Sequence, residues 1–217
     1  LGLPFVLLLA ACSAEARPAG ETETPSPFAD CAALTRSSSS TPPAAAPAAS
    51  GPAASGPSGF GPAASGPAGS GPSASGKAGD TLPDVELPCF TGGGTVKLTE
   101  LRGPAVVNLW ASWCEPCRTE LPAMQRLADR AGGKLTVVGV DTGDDRAAAA
   151  SFGTDHQVAM PTLYDRDKKL ISKLGRSTLP VTIFLSGTGS WHVEPLPLDG
   201  SKLDALVRTW TGVTVNR

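Results

Sequence analysis

From residue 80 onward the sequence predicts an α/β layered domain built on a central sheet. Three observations carry that expectation. Short apolar runs alternate with segments of helical period. Composition shifts at the same point, from a stretch rich in Ala, Pro, Gly and Ser to a mixed sequence able to form a core. Two cysteines, Cys114 and Cys117, sit two residues apart between an apolar run and a helical pattern, where a strand hands over to a helix.

The elements follow in order. Residues 85–90 and 95–98 read as short strands on either side of the Gly92-Gly93-Gly94 turn. Residues 106–110 form an apolar run suited to a buried central strand. Residues 117–131 carry Leu121, Met124, Leu127, Ala128 and Ala131 at helical spacing, with Pro122 expected to kink the helix. Residues 135–140 read as a second buried strand, 145–152 as a helix, 162–164 as a short strand and 168–174 as a short helix. Residues 181–185 give a strand, 191–198 a Pro-limited edge strand, and 201–210 a final amphipathic helix.

Three regions result: 1–12, 13–79 and 80–217. The last is of ordinary single-domain length. Its 15 Lys and Arg nearly balance its 16 Asp and Glu with no basic run, which argues against a nucleic-acid partner. Residues 51–75 hold five copies of a five-residue unit, GPAAS, GPSGF, GPAAS, GPAGS and GPSAS. Period five excludes the collagen triple helix, and one aromatic with almost no charge cannot make a core. The region is expected to be a disordered linker, and the 43 residues 37–79 to span roughly 35–40 Å as a coil, a spacer that lifts the domain off a membrane.

Residues 3–11 resemble the apolar part of a secretory signal, too short for a membrane-crossing helix of about 20 residues. No Met and no positive segment precede them, so the sequence is expected to begin inside that signal. Leu9-Ala10-Ala11-Cys12 resembles a bacterial lipobox, which makes Cys12 the expected lipidation site and the membrane a partner through that anchor. The alternative is a secretory signal with a chance cysteine at its end. Two acyl chains anchor stably where one binds marginally. Either reading sends the domain outside the cytoplasm, where disulfides persist.

A Cys-x-x-Cys pair serves zinc as well as redox chemistry. Zinc needs further ligands, whereas Cys12, Cys31 and Cys89 form no second such pair and only His156 and His192 are present. The redox reading is therefore favoured, with no metal and no cofactor. The first cysteine falls at a helix N-terminus, where unpaired N–H groups and the helix dipole favour a thiolate, the attacking form. Cys31 and Cys89 remain, and an exported protein rarely leaves two thiols idle, so a structural Cys31–Cys89 disulfide is expected. The alternative is one buried as a small apolar residue and one free.

Residues 108–122, NLWASWCEPCRTELP, together with LTVVGVDTGD at 135–144 and TLPVTIFL at 178–185, resemble the thioredoxin fold. More narrowly they resemble the membrane-tethered TlpA/ResA-like thiol–disulfide oxidoreductases of bacteria. The likeness covers residues 80–212, with LPD at 82–84 and LTELRG at 98–103 as weaker matches. It implies a thioredoxin-like fold with a central mixed sheet flanked by helices. It implies that Cys114 is the exposed attacking cysteine, Cys117 the buried resolving one, and that the two form the redox-active disulfide. Pro180 matches the family's cis-proline, and the backbone of Leu179 would pair with a bound peptide like an added strand. Pro116 restricts the turn, and Trp113 and Glu115 flank the substrate. Glu120 matches an acidic residue that marks the ResA-like branch; it would move the resolving cysteine's proton or raise the thiol pKa values by like-charge repulsion, the alternative being a solvated first-turn glutamate. Asp144 matches a second acidic position, though a loop aspartate is more often simply exposed. Asn108 stands where thioredoxin has a buried aspartate and cannot titrate, so proton handling falls to Glu120. Trp110 is read as core, and Trp191, Trp210 and both histidines as structural or surface residues.

The resemblance implies a reductase of exported protein disulfides, such as those of apocytochrome c, fed by a membrane thiol–disulfide carrier. The reverse flow would make it an oxidase or isomerase. A peroxidase is disfavoured because Val107 and Ala111 occupy positions where that signature needs Pro and Thr or Ser. A Sco-type copper-binding lipoprotein is disfavoured by the spacing, since that family uses Cys-x-x-x-Cys.

Overall fold

The side chains of the central strand point alternately to two faces, and each face has its own core. The structure, a computed structural model, describes residues 26–31, 34, 75–76 and 81–216. Cys12 and all of the pentapeptide repeat except Ser75 lie outside them. The described strands are β1 (Ser75–Gly76), β2 (Glu86–Pro88), β3 (Thr95–Lys97), β4 (Ala105–Trp110), β5 (Thr136–Thr142), β6 (Thr162–Asp165), β7 (Val181–Leu185) and β8 (Trp191–Glu194). The described helices are α1 (Glu115–Ala131), α2 (Arg146–Asp155), α3 (Lys169–Lys173) and α4 (Gly200–Thr211). The main sheet has the order β1-β8-β7-β4-β5-β6, and β2 and β3 form a separate hairpin. Strands β4, β5 and β6 run parallel, while β7 and β8 are antiparallel to their neighbours, so the sheet is mixed.

Val106, Trp110 and Phe184 pack beneath Leu121, Met124 and Leu127 of α1 and Leu203 and Val207 of α4. Val107, Leu109 and Ile183 face the other way, onto Leu87 and Val96 of the hairpin and Leu170 and Ile171 of α3. That is the period-two alternation of a sheet covered on both faces. Asp145 and Asp199 cap α2 and α4, each accepting two first-turn N–H bonds. Asp145 thus stands just outside the helix that the sequence places it in. β8 stops at Glu194, before Pro195 and Pro197, which have no N–H to give a ladder. It is not the sheet edge, because β1 pairs with it through Ser75 opposite His192.

The boundary expected at residue 80 misses part of the domain. Phe28 and Cys31, inside the region read as linker, are core residues. The Phe28 ring meets Phe90 edge-on at 4.8 Å and lies 5.8 Å from Trp110. The Ala29 amide donates to the Ala159 carbonyl at 2.8 Å. Gly153 makes room for this segment, since a Cβ there would stand 2.7 Å from the Phe28 ring. Cys31 and Cys89 are joined in a disulfide. Among the described residues no helix is long and apolar enough to cross a membrane.

Candidate active site

The central strand and its two neighbours bring the candidate residues to one end of the sheet. β4 ends at Trp110, and its antiparallel partner β7 begins at Val181, opposite Leu109. The Leu179–Pro180 bond, which is cis, therefore lies level with the end of β4. β5 runs parallel to β4 and delivers Asp141, opposite Trp110, and then the turn through Gly143 to the same end. Three residues on from Trp110 the Trp113-Cys114-Glu115-Pro116-Cys117 motif opens α1.

Cys114 is the N-cap of α1, and its sulfur accepts the Cys117 amide at 3.3 Å. Pro116 fits the first turn, where a missing N–H costs nothing. Cys114 and Cys117 form a disulfide. The attacking cysteine was expected to be exposed, but in this oxidised state Cys114 shows 5% of its surface against 1% for Cys117. The order is kept and the openness is not. What solvent meets is Trp113, 58% exposed, with Glu115 and Pro116. Trp113 is held by its own indole N–H, which donates to the Gly143 carbonyl at 3.2 Å. Gly143 has φ +63, so the turn that presents this carbonyl suits glycine.

Glu120 is not the solvated glutamate of the simpler reading. It is buried one turn into α1, on the same face as Cys117. Its Oε1 accepts from Asn108 Nδ2 at 3.3 Å and from Thr182 Oγ1 at 3.2 Å. Asn108 Nδ2 also donates to Thr182 Oγ1 at 3.0 Å. Burial pushes the Glu120 carboxyl up to about 7, against the hydrogen bond from Thr182 and the approach of the Leu198 backbone. Glu120 therefore changes charge near neutrality, which a proton carrier in thiol exchange requires. Thr182 was not singled out in the sequence; alternation along 181–185 places it on the α1 face and was the available signal.

Asp144 is also buried where the sequence favoured an exposed loop residue. It accepts from the Ser112 amide, from Ser112 Oγ at 3.0 Å and from the Asp145 amide at 2.8 Å. Asp141 was missed altogether, because the strand expected to end at Val140 continues to Thr142 and carries Asp141 inside. Leu179 is half-buried and touches both cores, and Trp110 is fully buried, as the core reading has it. Among the described residues no three or more His, Cys, Asp and Glu gather as a metal site would need.

Fold and site define a thioredoxin-fold protein with a Cys-x-x-Cys disulfide at the N-terminus of its first helix. A family model described as the AhpC/TSA family matches residues 78–190, more than half of the chain, and the chain belongs to that family. It is 34% identical over 113 residues to DsbE, a thiol:disulfide interchange protein of Pseudomonas fluorescens biotype C, which covers 51% of this chain and 62% of the relative. It is 30% identical over 101 residues to the thiol-disulfide oxidoreductase ResA of Bacillus subtilis, covering 46% and 56% respectively. The chain thus spans about three-fifths of the length of these curated relatives. Among solved structures it resembles a DsbF homologue from Corynebacterium diphtheriae, with a TM-score of 0.54, 26% identity, and coverage of 65% of this chain and 94% of that one. These likenesses relate it to the DsbE/ResA-like thiol–disulfide oxidoreductases.

Proposed function

We propose that this protein is an extracytoplasmic thiol–disulfide oxidoreductase that reduces disulfides of exported proteins, apocytochrome c among them. The observation that carries the reading is the Cys114–Cys117 disulfide at the start of α1 with the buried carboxyl of Glu120 on the same helix face. In the reduced protein the Cys114 thiolate attacks a substrate disulfide, forming a mixed disulfide and releasing one substrate thiolate. Cys117, giving its proton to Glu120, attacks Cys114 Sγ and releases the second substrate thiolate. Two electrons pass to the substrate and the Cys114–Cys117 disulfide re-forms. A membrane thiol–disulfide carrier then restores the dithiol. Leu179 beside cis-Pro180 offers the backbone edge for the substrate peptide, with Trp113, Glu115 and Pro116 around it. Cys12 serves as the lipid-bearing residue that keeps the domain at the membrane.

The test is a Cys117→Ser variant. Mixed disulfides through Cys114 should accumulate, and mass spectrometry of the trapped partners names substrate and electron donor. Trapping only through Cys117, in the converse Cys114→Ser variant, would reverse the roles of the two cysteines. A reduction potential well above that of the trapped substrates would reverse the electron flow, since 30 mV corresponds to about 1.4 kcal/mol for this couple.

A further inference from the structure

Asp141 is a carboxyl with no surface open to solvent, 0% exposed on β5. Neither of its oxygens meets a hydrogen-bond donor. In register it sits between Trp110 of β4 and Tyr164 of β6. The side chain that bears on it most is another buried carboxyl, that of Asp144, three residues on in the turn after β5. The remaining charged or titratable groups facing it are Asp145 before α2, Arg146 at the start of α2, and Tyr164. Arg146 is engaged elsewhere: it donates to the Phe90 carbonyl and lies over the rings of Phe90 at 4.3 Å and Tyr164 at 5.0 Å.

Two neighbouring buried carboxyls resist ionising together. The donors decide which one does. Asp144 accepts from the Ser112 amide, Ser112 Oγ and the Asp145 amide, and Asp141 accepts from none. We propose that Asp141 and Asp144 share one proton, held on Asp141, and that Asp141 is a positioning residue that fixes the Asp144 carboxylate holding Ser112, two residues before Cys114. Burial first, and then the Asp144 carboxylate, push the Asp141 carboxyl up to about 9. Loss of that proton would set two anions against each other and loosen the Asp144 grip on Ser112. Since Ser112 leads directly into the N-cap of α1, the placement of Cys114 depends on this pair in either direction of electron flow.

Carbon-13 NMR of aspartate carboxyls in the oxidised full chain tests the shared proton without any assay of activity. One carboxyl should remain protonated at neutral pH, titrate near the value of about 9, and vanish in Asp141→Asn. Ionisation of every aspartate at neutral pH, or survival of the protonated signal in that variant, overturns the proposal. The positioning role is read from disulfide-exchange rates. Asp141→Asn still donates a hydrogen bond and should stay within about twofold of the parent, whereas Asp141→Ala should fall about tenfold. Equal losses in the two variants, or no loss in Asp141→Ala, remove the positioning role.

Discussion

The proton on Glu120 links stability to the chemistry of the site. Below the unfolded value of 4.5 both folded and unfolded chains hold it. Between 4.5 and about 7 the unfolded chain releases it while the folded chain keeps it, so stability declines as pH rises through that window. The loss is complete above the folded value and amounts to about 3 kcal/mol. Glutamine has the same shape and no proton to lose. Glu120→Gln should therefore match the parent near pH 4 and gain up to about 3 kcal/mol on it at mildly alkaline pH, by urea unfolding at the two pH values. An equal difference at both pH values would deny that Glu120 titrates in the fold. The same variant should slow release of the mixed disulfide and erase the inflection near pH 7 from its pH profile, because Gln cannot take the Cys117 proton.

Strands and helices set which of these residues the sequence could reveal. β4 and α1 were legible because each follows its own period, with Pro116 and the cysteines marking the junction between them. Glu120 was legible as a residue but not as a buried one, since its burial depends on Asn108 and Thr182, the latter 62 positions away. The end of β5 was not legible, because pairing with β6 through Asp141 and Thr142 extends it past its last apolar residue. The segment around Phe28 was the least legible, lying in a stretch of linker composition and gaining its partners from Phe90, Trp110 and Gly153. Its packing has a measurable consequence. Phe28→Ala removes a buried ring set against Trp110 and should cost about 3–5 kcal/mol, read as a lowered urea midpoint. A midpoint within error of the parent would mean that the segment does not add to the core in solution.

At the scale of the molecule, the Cys31–Cys89 bond changes what the pentapeptide repeat can be. The bond spans a sequence separation of 58, and the whole repeat, residues 51–75, lies inside the loop it closes. β1 returns the chain to the domain by pairing with β8. The stretch that carries the repeat is thus flanked by two points of attachment to the domain, Cys31 and β1, so the repeat does not separate the domain from Cys12. Closing a loop of this size is worth about 4 kcal/mol in the chain-entropy model, so Cys31→Ser should lower stability by a cost of that order. Limited proteolysis with elastase, which cuts beside small residues, separates the two arrangements. A cut within the repeat should leave the protein as one species on a non-reducing gel and release an N-terminal fragment once reductant is added. The Cys31→Ser variant should release the fragment without reductant under denaturing conditions. A nicked parent that falls into two pieces without reductant would show that the loop is open and return the repeat to the role of a tether.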